Sequence, residues 1–144
     1  MKDRRKVKDG KFTIMTLNLM DTPAWRALST KAHALYPWLR LEWHGNKNNN
    51  NGKIALSCRS AAFKMSVTPN TAAKAFQELQ QKGFIVVTQP SYLGTDGEAR
   101  LQYYELTELV MPGFERPRHL YATWIEGSDF EIISPVKTEA RIKK

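Results

Sequence analysis

The sequence predicts a small α+β domain, on three observations. Helix signals fill the chain up to Gly83, β-rich apolar runs follow, and a stretch of Pro, Gly and Asp between those runs suits a turn. With 144 residues, 42% of them hydrophobic, the chain can bury one modest core with some tail at either end.

The elements follow in order. Residues 1–11 (MKDRRKVKDGK) are mostly polar and basic and read as a flexible arm. FTIMTLNLM mixes apolar positions with Thr and Asn and reads as an extended segment laid along the domain. Thr22 suits a helix N-cap, with Pro23 at the first helical position, where its missing N–H costs nothing. Ser29 can cap a longer helix to about His44. Ala32, Leu35, Tyr36, Leu39 and Trp43 step along it at helical intervals. Pro37 lies inside this pattern, removes one backbone donor and is expected to kink or split the helix. Residues 45–52 (GNKNNNNG) form a polar turn, because Asn and Gly tolerate left-handed backbone. Ile54-Ala55-Leu56 is long enough for one small strand.

The next segment carries the functional expectation. Ser57 caps a short helix over about Cys58 to Met65, and Ser66-Val67 make a turn. Thr68 and Pro69 open another helix, PNTAAKAFQELQQK, which stops at Gly83. Two helices joined by a tight turn, the second opened by a polar cap, have the spacing of a DNA-reading pair. At 3.6 residues per turn, Ala72, Phe76 and Leu79 share the core-facing stripe. Asn70, Lys74, Gln77 and Gln81 fall opposite, flanked by Thr71 and Glu78. Asn and Gln can bond adenine bidentately, and Lys can bond guanine or phosphate. One amphipathic helix alone is more often a solvated face than a binding one.

What surrounds this helix changes the weight. FIVVTQ and RLQYYELT flank PSYLGTDGEA, a hairpin directly after the helix. Helix, short strand, helix, helix, strand, loop, strand is the order of a winged helix-turn-helix: a three-helix core, a small antiparallel sheet and a β-hairpin wing, here with an extra N-terminal helix. The domain is expected over residues 12–107, with a partly ordered C-terminal extension over 108–144. Arg59, Ser60 and Lys64, on the helix before the turn, can hold phosphates or form a plain solvated surface. In the wing, Arg100 can offset the acidic Asp96 and Glu98, which disfavour pressing against phosphate.

Three stretches resemble bacterial winged helix proteins of a type found in alphaproteobacterial genomes, plasmids and prophages. They are Thr22-Pro-Ala-Trp-Arg-Ala-Leu-Ser29, Gly45-Asn-Lys-Asn to Gly52-Lys-Ile-Ala-Leu-Ser57, and Val67 through Ile85 (VTPNTAAKAFQELQQKGFI). The likeness covers roughly residues 12–107, and the third stretch recurs across many winged helix regulators. The resemblance implies DNA binding, in some relatives as regulators and in others as replication initiators.

Composition agrees with that direction. A formal charge of +8 favours polyanion partners, although a soluble protein can simply be basic. The basic arm can track a DNA backbone or serve as a solubilising tail. No run of about 18 apolar residues predicts a membrane span. No apolar signal core follows the charged N-terminus, so a cytoplasmic protein is expected. The single Cys58 fits a reducing compartment; a small buried residue is its plainer reading beside a redox role.

Catalysis finds little footing. His33, His44 and His119 lie far apart, no zinc spacing surrounds Cys58, and no phosphate-cradling glycine loop occurs. No cofactor and no metal are expected. The function expected is sequence-dependent binding of double-stranded DNA, with regulation of transcription as its use. The alternatives are a replication initiator or DNA-processing factor of a plasmid or phage, and a winged helix used only for protein contact. The tryptophans Trp25, Trp38, Trp43 and Trp124 are expected in core or interface, with Trp25 and Trp43 packing the N-terminal helices together. A homodimer would let two such helices read two half-sites.

Overall fold

The computed structural model describes residues 10–93 and 99–133, with backbone alone at 92–93 and 99–100. Among the described residues, five helices precede the strands: α1 (Leu17–Met20), α2 (Pro23–Arg26), α3 (Thr30–Arg40), α4 (Cys58–Met65) and α5 (Pro69–Gln81). Strands β1 (Ile85–Gln89), β2 (Tyr92–Leu93), β3 (Ala99–Arg100) and β4 (Tyr103–Leu106) follow, and a single 3-10 turn spans Leu120–Thr123. The chain is α+β, and this order is compatible with a winged helix.

The helices start where the sequence says, because their caps are local. Side-chain oxygens of Thr22, Ser29, Ser57 and Thr68 accept from Trp25, Ala32, Ser60 and Thr71 N–H in turn. Thr16 caps α1 in the same way, by accepting from Leu19 N–H. The segment expected to be extended therefore turns helical at Leu17. Pro37 sits inside α3 without dividing it; regular helix stops at Arg40, and tighter three-residue turns carry the chain to Trp43.

β1 and β4 pair antiparallel, Ile85 opposite Leu106 and Val87 opposite Tyr104, with a bulge at Thr88. These four side chains face the core. The strand expected at residues 54–56 shrinks to one bridge, with Ile54 and Tyr104 exchanging both backbone hydrogen bonds. β2 pairs β3, Tyr92 opposite Arg100. The tip of the hairpin, including Asp96 and Glu98, lies outside the described residues, as do residues 1–9 of the basic arm.

An aromatic cluster centres the core. Trp25 stacks on His33 and meets Tyr36 and Phe84 edge-on, at centroid distances of 4.6, 5.7 and 5.5 Å. His33 Nε2 donates to the Trp25 carbonyl at 2.7 Å, which fixes the ring. On the far side Phe84 stacks on Tyr121 at 4.8 Å. Tyr121, Trp124 and Leu109 are buried with the rest of the core. The packed unit therefore takes in residues past 107, within the extension expected to be partly ordered over 108–144.

That extension is a strap. It runs over the outer side of the β1–β4 pair, where Arg118 makes a two-pronged contact with the buried Glu105, at 2.6 and 3.1 Å. It then closes on the last turn of α5. Phe130 N–H donates to the Gln81 carbonyl (2.9 Å), Ile133 N–H to Gln80 Oε1 (3.0 Å), and Lys82 Nζ to Asp129 (3.1 Å). Trp124 Nε1 also donates to Asp129, and this bond and Lys82 together hold its carboxyl below the usual range. Gly83, with φ +86°, ends α5; a Cβ there would lie 2.7 Å from the Phe130 ring and 2.9 Å from the Tyr121 nitrogen. One glycine thus terminates the helix and seats the strap.

The Asn-rich turn is also structural. Asn51 is 3% exposed. Its Nδ2 donates to the carbonyls of Leu106 (3.1 Å) and Leu109 (2.9 Å), and its Oδ1 accepts from Leu106 N–H at 2.8 Å. The side-chain amide replaces a neighbouring strand where β4 ends. Asn51→Ala removes the partner of the Leu106 N–H and of the Leu109 carbonyl inside the protein, while the Leu106 carbonyl keeps the Leu109 N–H. It is expected to lower stability by about 2–3 kcal/mol, read as a fall in the urea midpoint without a change in slope.

Candidate nucleic-acid interface

Helix α5 divides as its 3.6-residue period requires. Ala72, Ala75, Phe76 and Leu79 are buried, with Phe76 stacked on Tyr104 at 5.4 Å. Asn70, Lys74 and Gln77 are exposed on the other side. Thr68 and Thr71 stand at the helix opening, where the Thr68 hydroxyl donates to Thr71 Oγ1 at 3.0 Å and also accepts from Thr71 N–H. The reading set named from sequence therefore shares one accessible face and end of α5. Among the described residues, the strap's hydrogen bonds to α5 and its cap fall on Gln80, Gln81 and Lys82, beyond the Asn70–Gln77 face.

Ser66, Val67 and Thr68 alone separate α4 from α5. Ser66 takes left-handed backbone (φ 59°), and the Val67 N–H returns to the Ala62 carbonyl at 3.0 Å. This fold-back sets the angle between the helices. Ala61 and Ala62 are buried in the joint, and their small side chains let the helices approach closely. Arg59, Ser60 and Lys64 are exposed on the outward side of α4. Lys64 Nζ lies 5.0 Å above the Trp38 ring, which holds the ammonium at the surface. Arg100 belongs to β3; its side chain lies outside what is described.

The charge of the face follows from a partner the sequence did not reveal. Glu78 is the single carboxylate between Thr68 and Lys82. Its two oxygens accept from the Ser29 N–H at 2.8 Å and the Ser29 hydroxyl at 2.7 Å. Glu78 thus closes the start of α3 from a distance of 49 residues, with both oxygens engaged at the flank of the Asn70–Gln77 face. No short motif signals this contact, because it exists only once α3 lies across α5. The first turn of α5 carries no acid, so no side-chain charge there opposes an anion near the positive end of the helix.

Other chemistry is thin. A cleft of about 590 Å³ opens between α4 and the hairpin base, lined by Leu56, Ser57, Cys58, Lys64, Gln102 and Tyr104 among others. Burial pushes the Cys58 thiol above its usual value, so the reactive thiolate is disfavoured despite the helix start. Burial likewise raises Tyr104 to about 12. Among the described residues, no three His, Cys, Asp or Glu side chains gather as metal ligands, and no helix is long and apolar enough to cross a membrane. No known protein family, curated protein or solved structure matches the chain.

Proposed function

We propose that this protein is a winged helix-turn-helix protein that binds double-stranded DNA in a sequence-dependent way, without catalysis, and that it regulates transcription. The carrying observation is the outward Asn70, Lys74 and Gln77 row on α5, flanked by a Glu78 whose two oxygens are engaged by Ser29. In this reading α5 enters the major groove. Asn70 and Gln77 bond base edges, Thr68 and Thr71 contact base or sugar at the helix opening, and Lys74 bonds guanine or a phosphate. Arg59, Ser60 and Lys64 hold the backbone from α4, and Arg100 does so from the hairpin.

The test is selection of bound sequences from a random duplex library, followed by a salt titration on the winner. A defined winning sequence is expected, with log affinity falling linearly in log salt. If Arg59, Lys64 and Lys74 each meet a phosphate, the slope is about −3 or steeper. A library that yields no preferred sequence, or an affinity indifferent to salt, overturns the proposal.

A further inference from the structure

The tryptophans that suggested a homodimer are largely spent within one chain: Trp25 and Trp124 are buried, and Trp38 and Trp43 pack against the core. A different surface is left over. Phe12 is 79% exposed, Ile14 58%, Leu17 73% and Met20 36%. The segment does not hang loose. Thr13 Oγ1 accepts from Arg40 at 3.2 Å, Met15 packs on the core and Leu19 is buried. Its inward residues anchor it, and its outward ones are large and apolar. Phe12 and Ile14 are two apart in non-helical backbone, and Leu17 and Met20 three apart on α1, so each pair shares a side.

We propose that residues 12–20 form the face on which a second copy of this chain docks. The face itself is uncharged: no charged residue lies between Phe12 and Met20, so no like-charge pair forms within the contact. Size supports it too. The four side chains leave on the order of 400–500 Å² of apolar surface in water, a size at which the largest patch on a monomer is often functional. A two-fold contact buries that area on both copies, and the flanking atoms bring the total near the ~1,200 Å² low end of specific interfaces. An uncharged apolar patch is self-complementary, as a two-fold contact requires. Position supports it as well. Residues 12–20 are held by α3 through Arg40 and Thr13, and α3 packs against α5, so the proposed contact does not itself use the Asn70–Gln77 row. The pairing needs no DNA, so its test stands apart from that of DNA binding.

The experiment is sedimentation of the full chain, without DNA, from 1 to 100 µM. A dimer is expected that persists in 1 M salt, because an apolar contact is not screened. Phe12→Ser with Leu17→Lys is expected to raise the dimer dissociation constant at least tenfold. Phe63→Ser, which removes an equally bare aromatic from α4, is expected to leave it unchanged. On the wild type alone, amide exchange over residues 12–20 is expected to slow as concentration rises, which keeps the test valid if the double variant folds poorly. A monomer throughout, as when the chain's own arm or tail covers the face, overturns the proposal. So does a dimer that ignores the Phe12 and Leu17 changes, or one that Phe63→Ser weakens equally.

Discussion

Replacing Asn70, Lys74 and Gln77 together by alanine is expected to remove selective duplex binding and leave the fold intact. All three side chains are exposed, and none is held by a hydrogen bond among the described residues. Alanine is the best helix former, so α5 should be no less stable. On the DNA side, each side chain that reads a base is worth ~1–3 kcal/mol of discrimination. Losing two or more such contacts should weaken the selected duplex by about 10²–10⁴-fold. Affinity for unrelated duplex should fall far less, because Arg59 and Lys64 remain to neutralise phosphate. Fluorescence anisotropy on the two duplexes separates these outcomes, with circular dichroism confirming the fold. If the triple variant still distinguishes the selected sequence, α5 is not the reading element.

Arg40→Ala is expected to be the most destabilising single change, by about 3–5 kcal/mol. Arg40 and Glu108 are nearly buried, with side chains 10% and 8% exposed. The guanidinium meets both Glu108 oxygens, at 3.0 and 3.3 Å, and the Tyr36 hydroxyl donates to the same carboxylate at 2.6 Å. Burial, and then Glu108 itself, hold the Tyr36 phenol well above its usual pKa, so it remains a donor. Without Arg40, a buried carboxylate keeps one neutral donor and no counter-charge, and such groups are costly. Arg26 is the control. Its pair with Asp21 is exposed on both sides, and Arg26→Ala should change stability by no more than about 0.5 kcal/mol. Thermal melts of the two variants decide the point, and equal melting temperatures would refute it.

The difference between these arginines marks what could be read in advance. Both are basic residues in the last turn of a helix, and nothing in the local sequence separates them. Glu108 lies 68 residues away from Arg40, and only folding brings them together. The Asn70–Gln77 row was readable from its spacing alone, since opposite sides of a helix follow from 3.6 residues per turn. The engagement of Glu78 at its flank was not, because the partner is an N-cap 49 residues away. The run of asparagines at residues 48–51 read as a turn, which it is. That Asn51 is buried against the end of β4 depends on where residues 106–109 return.

Helix boundaries at Thr22, Ser29, Ser57, Thr68 and Gly83 were written in the sequence, since a capping hydrogen bond or a left-handed glycine involves groups only a few residues apart. The division of α5 into two faces was set in the same local way. The folding of residues 108–133 back onto the core and the last turn of α5, and the exposure of the apolar row at residues 12–20, were decided by the tertiary structure. Such contacts join segments separated by tens of residues, and their energy comes from surface removed from water when two elements meet, a quantity that no single stretch of chain contains.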